Sequence, residues 1–366
     1  MKKKITVLVD LYYLKAAVAG IGSYIREFEA SCIDHGSNDF KYVFTHDINK
    51  LVGNSIFLNS NNKIIRWIFQ FRYLIYKQIQ LPLKILFSKA DYVICPDYIA
   101  PVFTFNAKRI TVLHDSLFWD QKNNYSVLWR KYFITLINLG MNSKTEIVTT
   151  SNYSKNNLIK IFRNNRNINF VYQSFNFHKT TSSNYKTPEN YLLHIGSFEK
   201  RKDLITLVKA FKLVKDDNLK LVLAGAQIIN GNSEVLDEIK KFIVQNKLES
   251  QVILAGYVSK QEASVLYKNA RIYVFPSLDE GFGIPILEAL SFSIPVICSD
   301  INVFKEVGGD YVEYFKVGDS ISLSEKIISV LGSDKLRQND NTEHINKFSR
   351  KNFIKGFEEI ILDKND

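Results

Sequence analysis

Residues 278–290, with the sequence LDEGFGIPILEAL, combine two glutamates, two glycines and a proline at spacings that could bind a ligand. They follow an apolar, strand-like run and lead into a helical pattern, so the glycines fall on a strand-to-helix turn. Pro285 suits the first turn of a helix, because its fixed φ fits and its missing N–H would have no partner there. The main-chain N–H groups of Phe282, Gly283 and Ile284 would then point out of the helix N-terminus, where they could bind a phosphate or a hydroxyl.

The two glutamates of this stretch could contact the same ligand from two sides. Glu280 precedes the helix, and Glu288 lies about one turn into it. Gly281 and Gly283 flank Phe282 and would let a ligand approach the backbone closely. A plain acidic loop before an amphipathic helix is the alternative interpretation.

Glu280, the turn 281–283 and Glu288 resemble the paired-glutamate donor signature of retaining GT-B-fold glycosyltransferases, family 4 in particular. The resemblance implies that Glu280 meets the transferred sugar and that the turn amides meet sugar hydroxyls and the distal phosphate. It also implies that Glu288 holds the ribose of a nucleotide. The resemblance covers nearly the whole chain, strongly over residues 190–300 and more loosely in the first half.

A second candidate site is the cluster of charges in the sequence IGSFEKRKD, residues 195–203. Cations between a strand and a helix N-terminus could bind a diphosphate, with arginine gripping two oxygens and lysine acting as a point charge. A solvated charge cluster is the alternative. The family often has an arginine directly after Gly196, where this chain has Ser197, so the resemblance here rests on Arg201 and Lys202.

The first half offers two weaker candidates. The turn 20–23 fails the dinucleotide-binding fingerprint, which requires a third glycine and a later acid at fixed spacings. His114 ends a strand-like run with Asp115 beside it, and this position favours a site over a structural histidine. The resemblance implies that Gly22 and Ser23 face the donor diphosphate. It places His114 beside the anomeric carbon, with Asp115 as an orienting neighbour.

By the same resemblance, Lys202 and Arg201 stabilise the leaving diphosphate, Glu280 positions the sugar and His114 lies at the reacting face. Tyr257 is expected at the nucleobase. The leaving phosphate takes the acceptor's proton, so no general base is predicted. Because the sequence has no Asp-x-Asp, Walker loop or zinc spacing, we predict metal-independent chemistry with no cofactor beyond the nucleotide-sugar substrate.

Strand-like and helix-like runs alternate along both halves, which predicts βαβ units and parallel sheets covered on both faces. We predict an α/β protein with two doubly wound Rossmann-like domains, the GT-B fold, and an interdomain cleft that holds the site. Asp203 is a candidate N-cap. The predicted strands are 4–10, 42–44, 92–95, 110–114, 146–150, 168–172, 191–195, 220–223, 251–254, 271–275 and 295–298.

The predicted domains are divided by a polar linker between residues 172 and 191. Residues 1–180 would form an N-terminal acceptor-binding domain, and residues 189–344 a C-terminal donor-binding domain. By resemblance, a final helix within 345–366 packs back on the first domain.

The composition is that of a folded protein: 366 residues with 46% hydrophobic content suit two domains. Cys32, Cys95 and Cys298 are far apart, which suggests a reducing compartment and no metal site. The N-terminal apolar run is too short for a signal peptide, and no apolar stretch is long enough to cross a bilayer. We therefore predict a cytoplasmic protein.

The formal charge of +11 is compatible with nucleic acid, an anionic membrane or an anionic substrate. Residues 61–90 contain no acid and interleave cations with large apolar groups. The cations are Lys63, Arg66, Arg72, Lys77, Lys84 and Lys89, and the apolar groups are Trp67, Phe69, Phe71, Tyr73, Leu74, Tyr76 and Phe87. This segment is either an interfacial helix at the inner membrane face or a long amphipathic helix packed on its own domain, and both interpretations stay open.

The predicted function is retaining transfer of a hexose-type sugar from a nucleoside-diphosphate sugar to a hydroxyl of a glycan or lipid-linked acceptor. Cell-surface polysaccharide biosynthesis is the expected setting. A nucleotide-sugar epimerase or a phosphorylase of the same fold is one alternative, which the paired glutamates disfavour. A non-catalytic basic binding protein is another and would bind nucleic acid with steep salt dependence. We predict no nucleic-acid partner, because that alternative leaves the carboxylates unexplained.

Overall fold

The chain folds into two units, one of which is built from both ends of the sequence. The first unit is Met1–Asn176 with Lys347–Asp366, and the second is Phe177–Asn346. The computed structural model describes residues 3–15, 20–51, 63–120, 126–142, 145–163, 167–176, 185–225, 234–333 and 340–363. Part of the predicted linker, residues 177–184, lies outside the described residues.

Within its described residues, the first unit contains a six-stranded parallel sheet with the order β2-β1-β3-β4-β5-β6. The strands are β1 (Ile5–Val9), β2 (Phe40–Phe44), β3 (Tyr92–Cys95), β4 (Lys108–Val112), β5 (Glu146–Thr149) and β6 (Asn167–Phe170). Every residue of β3 and β5 is buried, as expected for central strands covered on both faces. The order reverses between β1 and β3, which makes their carboxyl ends the expected ligand edge.

The helices of this unit carry the apolar faces that cover the sheet. They are α1 (Gly20–His35), α2 (Ile48–Leu51), α3 (Lys63–Ile75), α4 (Leu81–Ser88), α5 (Leu117–Asp120), α6 (Val127–Gly140) and α7 (Asn152–Phe162). A π-helical turn, Tyr76–Gln80, joins α3 to α4. One side of this helical segment packs into its own unit through Tyr73, Tyr76 and Ile85, whereas Trp67 and Phe87 are exposed.

Lys77 departs from the predicted basic face. Its side chain is fully buried, with Nζ 2.7 Å from Asp10 and 2.5 Å from Asp97. Asp10 and Asp97 follow β1 and β3 at the point where the strand order reverses. The hydroxyls of Tyr76 and Tyr73 donate to Asp10 and Asp97, respectively. Lys77 is therefore a core cation and not part of a solvated surface.

The second unit contains, over the residues described, another six-stranded parallel sheet with the order β12-β11-β10-β7-β8-β9. The strands are β7 (Tyr191–Ile195), β8 (Lys220–Ala224), β9 (Val252–Gly256), β10 (Ile272–Phe275), β11 (Val296–Ser299) and β12 (Glu313–Phe315). The helices are α8 (Leu204–Val214), α9 (Glu234–Gln245), α10 (Lys260–Asn269), α11 (Ile284–Ser291), α12 (Asn302–Gly308), α13 (Ser320–Leu331) and α14 (Thr342–Asn346). The prediction of two doubly wound α/β domains is confirmed.

The last helix, α15 (Arg350–Leu362), packs against α1 in the first unit. Its buried ring of Phe357 lies 4.8 Å from that of Phe28, centroid to centroid, and Phe353 contacts both rings edge-on. Arg350 adds an ion pair to Glu27, with Nε and Oε2 2.8 Å apart. None of the helices described here combines the length and the apolar character that a membrane-spanning segment requires.

Candidate active site at the strand ends of the second unit

Two loops of the second unit start side by side where its strand order reverses. β7 pairs directly with β10, so the loop 196–203 and the loop 276–283 leave the same edge of the sheet. The N–H of Leu278 donates to the carbonyl of Arg201 at 2.7 Å and joins the two loops. In a doubly wound sheet this edge is where ligands bind.

Glu280 lies between the two predicted cations. Its Oε1 accepts a hydrogen bond from Lys202 Nζ, and its Oε2 is 2.7 Å from a terminal nitrogen of Arg201. The sequence therefore identified three residues that the structure brings into one cluster, although 78 positions separate Lys202 from Glu280.

The cluster also contains residues that the sequence did not single out. Arg201 Nε donates a hydrogen bond to Glu199 Oε2 at 2.8 Å, and the hydroxyl of Ser197 donates to Glu199 Oε1. The hydroxyl of Ser277 donates to Glu280 at 3.0 Å, and Lys202 Nζ lies 4.8 Å from the centre of the Phe275 ring. Phe275 ends the strand before the loop that carries Glu280, and Ser277 lies within that loop, three residues before Glu280. That proximity is the signal that could have found them.

The burial of these charges shapes their pKa values. Burial alone would raise the pKa of Glu280, but Lys202 and Arg201 outweigh it and hold that pKa below its usual range. Burial lowers the pKa of Lys202, and Glu280 opposes the shift. For Arg201, the two glutamates outweigh burial and raise the pKa. Glu280 and Arg201 therefore stay charged at neutral pH.

Three glycines end neighbouring strands at this same edge. The N–H of Gly196 donates to Ala224, and the N–H of Gly225 donates to the carbonyl of Gly256 at 2.7 Å. A Cβ added at Gly225 would meet the carbonyl oxygen of Gly196 at 1.8 Å, so no other residue fits there. We call Gly196, Gly225 and Gly256 the glycine shelf, and it leaves backbone accessible to a ligand.

His194 lies directly beneath the glycine shelf and was also missed by the sequence analysis. It is fully buried, and its Nδ1 lies 2.9 Å from the carbonyl of Val274. Burial lowers its pKa to about 4, so the ring is neutral. A Cβ added at Gly196 would approach His194 Nε2 at 2.9 Å, which explains the glycine.

The turn 281–283 leads into α11 as the sequence predicts. Gly283 is the N-cap residue with φ 117°, a conformation that favours glycine, and Pro285 lies in the first turn. The Phe282 side chain is buried, so only its backbone can face a ligand. Asp203 occupies the N-cap position of α8 with φ 45°, and its side chain makes no capping hydrogen bond.

Glu288, on α11, lies in a different environment from Glu280. Its Oε2 accepts a hydrogen bond from Tyr267 at 3.0 Å. Burial raises its pKa to about 7, with Tyr267 and Lys260 opposing the shift. Tyr257 follows Gly256 at the end of β9, and its ring is 80% exposed. The ring is therefore accessible for stacking.

The predicted residues of the first unit include a histidine and the acidic residue that follows it. His114 is buried two residues after β4, with Nε2 2.8 Å from the carbonyl of Pro96. Because a carbonyl only accepts, Nε2 carries the proton. Burial lowers the His114 pKa to about 4. Tyr98 donates its hydroxyl to Asp115 at 3.1 Å.

Gly22 and Ser23 lie in the first turn of α1, Gly22 buried and Ser23 exposed. The next residue, Tyr24, packs edge-on against the His114 ring at 4.6 Å. The first turns of α1 therefore reach His114 through the ring of Tyr24. In the described part of the chain, no three His, Cys, Asp or Glu side chains converge as metal ligands.

Residues 178–345 match the family model of the glycosyl transferases group 1. The chain is 30% identical over 206 residues to the O-antigen chain mannosyltransferase RfbU of Salmonella typhimurium, a match that covers 56% of each protein. It is 33% identical over 153 residues to the O-antigen chain mannosyltransferase B of Escherichia coli, which covers 41% of this chain and 39% of the relative. The chain thus spans about half or less of the length of these relatives.

Two solved structures share the overall fold. A glycosyltransferase from Rickettsia africae aligns over 98% of this chain and 97% of its own, with a TM-score of 0.66 and 18% identity. Anabaena Alr3699/HepE, in complex with UDP and glucose, aligns over 98% and 100%, with a TM-score of 0.69 and 14% identity. Residues 178–345 thus match the glycosyl transferases group 1 model, and the chain has the two-domain α/β fold of GT-B glycosyltransferases.

Proposed function

We propose that the chain is a retaining glycosyltransferase of the family 4 type, which moves a hexose from a nucleoside-diphosphate sugar to an acceptor hydroxyl. The cluster of Arg201, Lys202 and Glu280 carries this proposal, because it places two cations and a carboxylate at the ligand edge of the second sheet. The similarity to O-antigen chain mannosyltransferases supports a role in cell-surface polysaccharide biosynthesis, with a glycan or lipid-linked acceptor.

In this proposal the donor diphosphate binds beside the glycine shelf. Arg201 remains partly exposed, and its planar guanidinium can bind two phosphate oxygens. Lys202 is more deeply buried and holds Glu280 in position, so the carboxylate can contact the sugar. The backbone of the turn 281–283, at the N-terminus of α11, would contact phosphate oxygens and sugar hydroxyls.

The chemical step requires stabilisation of an oxocarbenium-like sugar and of a departing diphosphate. Fixed charges do this well in a site from which water is excluded, because they need no reorganisation during the reaction. Glu280 would face the positive charge that develops on the sugar. Arg201 and Lys202 would stabilise the negative charge on the diphosphate. We propose that the leaving phosphate takes the acceptor's proton, without a metal or a protein base.

The remaining predicted residues complete the donor site in this proposal. Glu288 would accept hydrogen bonds from the ribose, and the exposed ring of Tyr257 would stack on the nucleobase. In the first unit, neutral His114 would lie at the reacting face, and Gly22 and Ser23 would face the diphosphate. We further propose a cytoplasmic location, where nucleotide sugars would be the donors.

The proposal is tested by thermal shift with a panel of nucleoside diphosphates and their sugars. We expect one nucleotide to raise the Tm of the wild type, since a ligand that binds only the native state stabilises it by mass action. Lys202→Met and Glu288→Ala should lose the shift. Lys200→Gln is the matched control, because Lys200 belongs to the same turn but pairs with Glu234 at the surface.

The outcomes separate the candidate functions. No shift with any nucleotide would contradict the donor site and favour a non-catalytic basic binding protein. A nucleotide shift with sugar release or isomerisation but no transfer would favour a phosphorylase or an epimerase. Once an acceptor is found, NMR of the new glycosidic bond decides whether the anomeric configuration is retained.

A further inference from the structure

The buried cation Lys77 and its two carboxylates take no part in the proposed transfer chemistry. Nζ of Lys77 lies 2.7 Å from Asp10 Oδ2 and 2.5 Å from Asp97 Oδ1, and none of the three side chains is more than 1% exposed. Apolar side chains of similar volume often stabilise a core as well as a buried ion-pair network does, so such a network is weak evidence for stability. What the network positions is therefore the more informative question.

Each carboxylate contacts the shared ammonium and one tyrosine hydroxyl. Tyr73, in α3, and Tyr76 and Lys77, in the π-helical turn, are three and four residues apart, so they face the same side of the helical segment. The hydroxyl of Tyr73 donates to Asp97 Oδ2 at 2.8 Å, and that of Tyr76 donates to Asp10 Oδ1 at 2.7 Å. A π-helical turn is rare and frequently lies at a functional site.

Asp97 differs from Asp10 in the peptide unit that it completes. This unit joins Pro96 to Asp97, and His114 Nε2 donates to its carbonyl at 2.8 Å. The unit is planar and the ring of Pro96 fixes the φ of that residue, so few torsions separate the Asp97 carboxylate from the carbonyl. Because Lys77 and Tyr73 anchor the carboxylate, they also restrict the direction of the carbonyl.

Tyr98, the next residue, has a conformation that tyrosine rarely adopts. Its φ is 70°, and its side chain is buried. Its hydroxyl donates to Asp115 at 3.1 Å, and its ring centre lies 5.4 Å from that of His114. A bulky residue persists in the left-handed region only where its surroundings determine it, and such residues cluster at functional sites. The loop 96–98 is therefore fixed around His114 despite local strain.

The carbonyl of Pro96 selects one form of the His114 ring. Burial lowers the pKa of His114 to about 4, so at neutral pH the ring carries a single proton. The carbonyl requires that proton at Nε2, which leaves Nδ1 as an acceptor. Thr150 Oγ1 donates to the backbone carbonyl of His114 at 3.0 Å and holds the residue from its own backbone.

We propose that Asp97, held by Lys77 and Tyr73, is a positioning residue that fixes His114 as the Nε2-H tautomer through the Pro96 carbonyl. A substrate hydroxyl would then find Nδ1 already prepared as an acceptor, and groups arranged in advance lower a barrier because they need no reorganisation. The effect on sugar transfer rests on the proposed function, in which His114 lies at the reacting face. The effect on the tautomer does not.

NMR of the whole chain labelled with ¹⁵N-histidine measures the tautomer, because protonated and unprotonated ring nitrogens have separate chemical shifts. His114→Gln identifies the signals of His114 among those of the six histidines. In the wild type, Nε2 should be protonated and its proton should exchange slowly with solvent. In Asp97→Ala, the tautomer ratio should move about two- to tenfold toward Nδ1-H, the effect of losing one hydrogen bond. The Nε2 proton should also exchange faster.

Asp10→Ala is the matched control. It removes an equally buried carboxylate from the same ammonium, but not the one beside Pro96, and it should leave the His114 tautomer as in the wild type. Asp97→Asn should restore the wild-type ratio, because its amide oxygen can still accept from Lys77. An unchanged tautomer in Asp97→Ala, or an equal change in Asp10→Ala, would show that the network is only structural and would overturn the proposal.

Two milder variants decide the question if an alanine variant does not fold. Tyr73→Phe removes only the hydroxyl that donates to Asp97, and Tyr76→Phe removes the one that donates to Asp10. Faster exchange of the His114 Nε2 proton is expected in Tyr73→Phe and not in Tyr76→Phe. Equal exchange rates in the two variants would contradict a positioning role for Asp97.

Transfer kinetics provide the functional measurement. Asp97→Ala should lower kcat by up to about 100-fold, the cost of a misplaced reacting group. It should keep the nucleotide-induced rise in Tm, because the nucleotide is proposed to bind in the second unit. A changed tautomer with an unchanged kcat would overturn the role in transfer. A wild type that transfers no sugar would contradict the proposed function, whereas the NMR comparison would still decide whether Asp97 positions His114.

Discussion

Glu280 and Glu288 belong to one turn and helix, yet their surroundings push their pKa values in opposite directions. Two cations lower the pKa of Glu280, whereas burial raises that of Glu288 to about 7. Opposed shifts of paired carboxylates are typical of sites where each has its own task. Glu280 is ionised at neutral pH, and Glu288 can change its protonation there.

We predict that Glu288 makes stability depend on pH. Its pKa in the folded state is about 7 and lies above the value of an unfolded glutamate. The native state therefore binds more protons, and the free energy of unfolding should fall by about 1 to 3 kcal/mol as pH rises from 5 to 8. Urea unfolding of wild type and Glu288→Gln across this range measures the effect.

The Glu288→Gln variant should lack this fall, because a glutamine does not titrate. Glu238→Gln is the control, since Glu238 is exposed on α9 and should leave the pH dependence unchanged. A wild type and a Glu288→Gln variant with parallel pH profiles would show that Glu288 is ionised throughout this range.

At this scale the sequence identified reactive residues better than their partners. Glu280, Arg201 and Lys202 were found because a turn motif and a charge cluster carry local signals. Tyr267 is the partner of Glu288 but lies on another helix, and no local spacing connects the two. Lys77 was interpreted as a surface cation, which is wrong. Helical periodicity does not reveal that its ion-pair partners, Asp10 and Asp97, are buried and distant in the sequence.

At the scale of the elements, two positions of the glycine shelf, Gly225 and Gly256, require glycine for different reasons. Gly225 has no room for a Cβ, because the Gly196 carbonyl lies against it. Gly256 has open space around its Cα but a φ of 68°, a conformation that costs other residues energy. The first restriction is steric, and the second is conformational.

We predict that Gly225→Ala destabilises the protein by more than about 3 kcal/mol, from overpacking and backbone strain together. Gly256→Ala should cost only about 1 to 2 kcal/mol, the strain of a left-handed residue. Chemical denaturation of the two variants gives both values. Equal losses would mean that the strand ends move apart to accommodate a methyl group at Gly225.

Most elements could be predicted from the sequence, because parallel strands are continuous apolar runs and helices repeat every three to four residues. β12 was missed because Glu313–Phe315 is three residues long and shows no alternation. The helices α12 and α13 beside it were missed as well. The order of the strands in each sheet could not be predicted, because it depends on contacts between segments that are distant in the sequence.

At the scale of the whole molecule, the chain builds most of the first unit, then the second unit, and returns to the first unit with α15. We predict that Phe357→Ala destabilises the first unit by about 3 to 5 kcal/mol, since the ring is fully buried against Phe28 and Phe353. Hydrogen exchange measures this unit by unit. Amides of β1 and β3 should lose protection, and those of β7 and β10 should keep theirs.

Lys355→Ala, on the exposed side of α15, is the control and should leave exchange unchanged in both units. Uniform loss of protection by Phe357→Ala in all four strands would show that the units unfold as one. The charge of the molecule follows the same division, since the first unit has 28 basic and 15 acidic residues (+13) and the second has 20 and 22 (−2).

The return of α15 to the first unit has a consequence for synthesis on the ribosome. The whole of Phe177–Asn346 must be translated after α1 has emerged and before its partner helix exists. About 315 residues separate the end of α1 from the start of α15 (350 − 35), so at about 5 to 20 residues per second the apolar side of α1 lacks its partner helix for roughly 15 to 65 s. The second unit has all its residues within that interval and can fold first. The first unit therefore needs a chaperone most during the period before α15 has been synthesised.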